Sequence, residues 1–335
     1  MFGDASFSSE AENVPNHISY TIPKKAKRIK RWKWRPWGGH STYYTYDYMI
    51  DGVKVGTRSY KKLDGLFRKS LLTDQQSYYK GKLHGLIVET KASHKTEGYF
   101  RLGQRHGITK KWMSDGRLEE ISEYKNGQRN GKTEWPILNK VSMYKDGKKN
   151  GIEIWKTHGY MGFSFPSIVH AMYVDDKQNG ITKIYTKNPY SDTIKEPYLI
   201  AEIDYVDGKI HGSYKRYDHT NSLRSNSIYA NGECYLLTTY YDNGNVLSVT
   251  TFNDTSHHGI QIFWRRDGSV KTATFFIEGK VVSEEEYRQQ SSADKQMPKI
   301  CQSLSRDAVL SRLKWKLPFG QSLTTDRRSQ SSPLQ

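Results

Sequence analysis

Four histidines, His84, His106, His211 and His258, each stand directly before a glycine. Four imidazoles can saturate a zinc ion, and a row of them can change charge near pH 6. Their register points to a different role. Asn130, Asn150 and Asn179 occupy the same place in neighbouring stretches, and His and Asn share a tolerance of left-handed backbone. The expected role is turn formation, with no metal and no cofactor. Glu119-Glu120 and Glu284-Glu285-Glu286 read as solvated charge runs. The sequence contains no His-Glu-x-x-His, Gly-x-Ser-x-Gly, P-loop or dinucleotide fingerprint. Cys234 and Cys301 are the only cysteines, too few for a disulfide framework, and Cys234 reads as a small buried hydrophobe. The expectation is that this is not an enzyme.

Binding chemistry concentrates near the two ends. Residues 24–37 hold Lys24, Lys25, Lys27, Arg28, Lys30, Arg31, Lys33 and Arg35, interleaved with Trp32, Trp34 and Trp37, and no acid. Such cations displace counterions from phosphates, and indoles stack on bases or sit at a lipid interface. A localisation signal, or tryptophans that cap the first repeat, fit the same residues. Towards the other end, Val309, Leu310, Leu313 and Leu317 recur at helical spacing beside Arg312, Lys314, Trp315 and Lys316, and Pro318 stops the run. That helix suits an anionic membrane, a partner groove, or packing back on the end of the array. Of the net charge of +17, residues 24–37 carry +8 and residues 299–335 carry +5. A protein partner is expected, with an anionic membrane or nucleic acid as the alternatives.

Between these ends lies a repeat. Tyr78, Gly81, His84 and Gly85 recur as Phe100, Gly103, His106 and Gly107, and as Tyr124, Gly127, Asn130 and Gly131. Tyr144, Gly147, Asn150 and Gly151 follow, then Tyr205, Gly208, His211 and Gly212. Weaker copies begin at Tyr173, Tyr229, Phe252 and Phe276. The leading aromatics are 22, 24, 20, 29, 32, 24, 23 and 24 residues apart, so a period near 23 survives two insertions, at roughly 158–170 and 187–198. Residues 43–70 hold a divergent first copy. Asn-Gly and Asp-Gly favour hairpin turns, and Asp115-Gly116, Asn243-Gly244 and Asp267-Gly268 supply second turns. Each period thus predicts two antiparallel strands, adding roughly 10 Å at the usual strand spacing. A second aromatic (Trp112, Trp135, Trp155, Tyr185, Tyr217, Trp264) follows each repeat glycine pair and is expected to form the core.

The units resemble MORN repeats, in the variant form close to Tyr-x-x-Gly-x-x-x-Gly-x-x-x-x-Tyr, over residues 78–280. The resemblance implies a hairpin solenoid used as a scaffold, brings no catalytic residues, and points to proteins abundant in giant DNA viruses, hence to a virus and a virion location. The resulting expectation is an all-β, elongated antiparallel β-hairpin solenoid at 43–282. A flexible basic extension at 1–42 precedes it, and a capping helix, amphipathic helix and basic tail follow at 283–335. The start of the chain has no apolar signal-peptide stretch and no run long enough to span a bilayer, so an intracellular, non-secreted protein is expected.

Overall fold

A computed structural model describes residues 17–34, 41–63, 70–163, 166–186, 196–253, 256–293 and 305–313. The fold is all-β and antiparallel, built of successive hairpins, and the chain divides into two compact bodies, residues 1–156 with 174–176, and residues 157–173 with 177–335. In the N-terminal body the strands are β1 (Lys27–Trp34), β2 (Ser41–Ile50), β3 (Val53–Leu63), β4 (Ser70–Tyr79), β5 (Lys82–Leu83) and β6 (Gly85–Thr90). They continue as β7 (His94–Arg101), β8 (Gln104–Met113), β9 (Leu118–Lys125), β10 (Gln128–Trp135), β11 (Lys140–Lys145) and β12 (Lys148–Thr157). The C-terminal body holds β13 (Ser167–Val174), β14 (Lys177–Gln178), β15 (Gly180–Thr186), β16 (Tyr198–Val206), β17 (Lys209–Tyr217) and β18 (Leu223–Ala230). It ends with β19 (Glu233–Tyr240), β20 (Val246–Asn253), β21 (Ser256–Trp264), β22 (Val270–Ile277), β23 (Lys280–Val282), α1 (Glu284–Ala293) and α2 (Arg306–Leu313).

The first glycine of the well-kept repeats makes the turn, and in the copy at Tyr173 Asp175 (φ 48°) and Asp176 (φ 70°) make it instead. Asn126 (φ 51°) and Gly127 (φ 85°) are both left-handed, the signature of a two-residue type I′ turn whose twist matches the flanking strands. The second glycine lies four residues on, inside the returning strand. There the ladder slips: Arg129 faces Tyr124, but the next pair is Thr133 with Ser122. Gly131, at φ 111°, sits in this bulge. Among the described residues, none of His84, His106, Asn130, Asn150, Asn179, His211 or His258 has a positive φ. The left-handed role expected of His and Asn therefore belongs to the glycines and to the residue before the turn glycine.

The bulge frees a carbonyl from its own hairpin, and the next hairpin uses it. In the N-terminal body Gly103 N–H donates to Leu83 O at 2.7 Å, Gly127 to Arg105 O at 2.8 Å and Gly147 to Arg129 O at 2.8 Å. In the C-terminal body Gly208 donates to Gln178 O, Gly232 to Ile210 O and Gly279 to His257 O, each at 2.8 Å. The second turns form as expected: Asp115 Oδ1 accepts from Arg117 N–H, Asn243 Oδ1 from Asn245 N–H and Asp267 Oδ1 from Ser269 N–H.

The cores differ from the expected aromatic ladder. Of the second aromatics, only Trp264 is fully buried, while Trp112, Trp135, Trp155, Tyr185 and Tyr217 are half-buried. The N-terminal body instead buries a cross-strand row of small polar side chains, in which Gly98 faces Thr109, Thr109 faces Ser122, Ser122 faces Thr133, Thr133 faces Ser142 and Ser142 faces Glu153. Small residues in this row let the flanking Tyr, Trp and Arg side chains lie over it. The C-terminal body has an aliphatic core of Ile228, Leu236, Val249, Ile260 and Ile262 around Trp264, closed by Tyr287 of α1 and Val309 of α2. The α2 segment thus packs back on the array, one of the readings its spacing allowed. Within the first insertion Phe163 is buried, with the Arg216 guanidinium 4.7 Å from its ring; residues 187–195 of the second insertion lie outside the described residues.

Candidate polyanion-binding face

Residues 27–34, expected in an extension, form a strand. β1 pairs with β2 over seven positions, from Lys27 opposite Met49 to Trp34 opposite Tyr43. Alternating Lys/Arg with Ile and Trp gives one strand two chemically distinct sides, and the tyrosine-rich β2 supplies its partner. Trp32 faces Thr45 in this register. Lys24 and Lys25 are exposed just before β1. Arg312 falls in α2, while Arg35, Trp37, Lys314, Trp315 and Lys316 lie outside the described residues.

The register gathers one face. Arg28 stands opposite Tyr48, Lys30 opposite Tyr46 and Lys33 opposite Tyr44; on the next strand Tyr46 meets Arg58 and Tyr44 meets Tyr60. Three cations lean diagonally onto a neighbouring ring, Arg28 4.5 Å from the Tyr46 centroid, Lys30 5.1 Å from Tyr44 and Arg58 5.5 Å from Tyr48, while Lys33 lies 5.9 Å from the ring of Tyr44 directly opposite. Cation–π contacts of this kind are worth about 0.5–1 kcal/mol at exposed sites. They hold flexible side chains extended over the sheet while their charged ends face water. Tyr44, Tyr46, Tyr48 and Arg58 are not among the residues expected from the sequence; the four tyrosines in residues 43–48 are the signal that could have found them.

Charge separates this face from the rest of the N-terminal body. Residues 24–63 hold twelve Lys or Arg against Asp47 and Asp51. Asp51 is in the turn, and Asp47 points to the other face, where it binds Lys54 at 3.0 Å and Arg31 at 3.9 Å. Burial pushes the Asp47 carboxyl up, but hydrogen bonds from Lys54 and Thr57 outweigh it and hold the group below its ordinary range. Further along, a second aromatic–cation ladder is partly neutralised, at Arg129 and its neighbours. Arg105 lies near Phe100 and Tyr124, and Arg129 near Trp135 and Tyr144. There Arg129 is bonded to Glu120 at 2.6 Å, and Lys140 and Lys149 both reach Glu153. Among the described residues no carboxylate pairs with Arg28, Lys30 or Lys33.

The histidines act between hairpins. Nδ1 accepts a backbone N–H from the next turn: Leu102 to His84 at 3.4 Å, Asn126 to His106 at 3.4 Å, Asn231 to His211 at 3.3 Å and Glu278 to His258 at 3.1 Å. Asn130 does the same work from its Nδ2, which donates to Asp146 Oδ1 at 2.9 Å. A ring whose Nδ1 accepts carries its proton on Nε2, the opposite of the usual ligand arrangement. Cys234 is half-buried rather than buried, and burial raises its thiol pKa. Among the described residues no group of three His, Cys, Asp or Glu is placed to hold a metal ion, and no helix is long and apolar enough to cross a membrane. No family model matches the chain, and comparison with curated proteins finds no similar sequence.

Proposed function

We propose that this chain is a non-enzymatic scaffold of MORN-type hairpin repeats, and that its first three strands bind the phosphate backbone of single-stranded nucleic acid without sequence choice. The un-neutralised face of Arg28, Lys30, Lys33 and Arg58 over Tyr44, Tyr46 and Tyr48 carries the reading. A sheet that presents cations between aromatic rings is a surface on which a flexible polyanion can lie. A lipid surface would call for protruding apolar side chains, whereas here the rings are half-buried between charges. The non-enzymatic part is supported by the engagement of the groups that could do chemistry, with the histidines holding turns and Glu120 and Glu153 holding cations. A virion location rests on the resemblance to MORN-type repeats, and mass spectrometry of purified particles tests it.

The binding test uses the full chain and a mixed-sequence 30-nucleotide single strand, with affinity measured by fluorescence anisotropy across a salt series. Each phosphate contact contributes about 0.7 to the slope of log K against log salt for single strands. Replacing Arg28, Lys30, Lys33 and Arg58 by Ala should lower that slope by up to about 2.8. Unchanged affinity in the quadruple variant would remove the proposal. Binding to phosphatidylserine vesicles but not to the oligonucleotide would replace it with a membrane reading.

A further inference from the structure

We propose that residues 17–23 are a latch that docks across the first hairpins at neutral pH and is released on mild acidification, through His17 where its ring packs against those of His84 and His106.

The segment is seated by glycines. Ile22 is 7% exposed and lies on Gly56, where a Cβ would come within 2.5 Å of its side chain. The Tyr20 carbonyl passes so close to Gly85 that a Cβ there would be 2.6 Å away, and His17 Nε2 would be 3.7 Å from one on Gly107. Tyr20 Oη donates to the Tyr78 carbonyl at 2.9 Å. Bulge glycines that serve elsewhere to bend a strand here also leave room for a second run of chain.

The ring of His17 makes the seat sensitive to protons. The His17 ring packs edge-on at 4.7 Å from His106 and 6.4 Å from His84, and Tyr20 stacks edge-on with His84 at 4.9 Å. His84 is fully buried. His84 and His106 are themselves held in place, each accepting a backbone N–H of the next hairpin at Nδ1. His17 Nε2 is buried without a hydrogen-bond partner among the described atoms. Facing His17 are His84 from the β4–β6 hairpin and His106 and Arg101 from the β7–β8 hairpin, with Tyr79 and Tyr20 stacked on His84; among the described residues no carboxylate is among the groups that shift it. Burial first, then the charges of His106, His84 and Arg101, hold the His17 pKa below its ordinary value, against a raising backbone hydrogen bond at His106. A base whose pKa is depressed on docking favours the docked form above its undocked pKa, near 6.5, and releases it as pH falls through that value. Release uncovers Gly56, which lies opposite Tyr48 and two residues before Arg58, so the exposed surface adjoins the basic tyrosine face.

Hydrogen exchange of the full chain, corrected for the intrinsic rate at each pH, tests the latch without any ligand. If His17 must shed its proton to dock, protection of amides 18–22 falls about tenfold between pH 7.5 and 5.5. His17→Gln, which has no proton to shed, should remove that pH dependence. Gly56→Ala should leave these amides unprotected at both pH values. Equal wild-type protection at both pH values, the same fall in His17→Gln, or retained protection in Gly56→Ala would each overturn the proposal.

Discussion

Glu153→Gln is expected to loosen the end of the N-terminal body selectively. Glu153 is 3% exposed. Its carboxylate accepts from Lys140 Nζ at 2.9 Å, from Lys149 Nζ at 2.9 and 3.1 Å, and from Ser142 Oγ at 2.7 Å. Burial alone would raise the carboxyl pKa; the hydrogen bonds from Lys140, Lys149 and Ser142 outweigh it and bring the value from 4.5 down to about 2. That gap corresponds to about 3.4 kcal/mol of folded-state preference for the charged form. Both lysines are close to a third exposed, so solvent screens part of the attraction, and about 2 kcal/mol is the expected net effect. A depressed carboxyl pKa gives stability that is present above pH 4.5 and lost as pH falls towards 2. At pH 7 the Gln variant should therefore exchange the amides of β11 and β12 about 30-fold faster than wild type, and by pH 3 more than half of that difference should have gone. Exchange at the wild-type rate at pH 7, or a difference as large at pH 3 as at pH 7, would refute the reasoning.

Two further outcomes follow from the packing. His211→Leu removes the acceptor for the Asn231 N–H and should destabilise the turn at Asn231-Gly232 by about 0.5–1.5 kcal/mol, read as faster exchange of that amide; His211→Asn should lose less. Trp264→Ala opens the cluster shared with Val249, Ile262, Tyr287 and Val309. It should cost about 3–5 kcal/mol, with α1 losing protection while β7 to β10 keep theirs.

The turns and the strand count per period were legible because Gly in a left-handed turn leaves a strong local mark, as at Asn126-Gly127 and Asp207-Gly208. What escaped lies in contacts between copies. His106 bonds to Asn126 twenty residues on, and a residue type shared with Asn was read as a local preference instead. Thr109, Ser122 and Thr133 look like solvent-facing strand residues; only the cross-strand register shows that they line up under larger neighbours. The basic stretch at 27–34 gave cations and indoles but no breaker, and its strand character became visible only with the tyrosines of β2 opposite it. The pair of lysines on buried Glu153 was illegible for the same reason, since Lys140, Ser142 and Lys149 meet it only through the β11–β12 pairing.

The backbone bonds that the turn glycines make between hairpins run one way. The donor is in the later hairpin and the acceptor in the earlier one, as with Gly103 on Leu83 and Gly232 on Ile210. A chain leaving the ribosome thus finds each receptor already built when the next donor emerges, and synthesis order matches assembly order. Trimming from the front strands a turn amide such as that of Gly103 or Gly232, whereas trimming from the back removes donors and leaves carbonyls that water can satisfy.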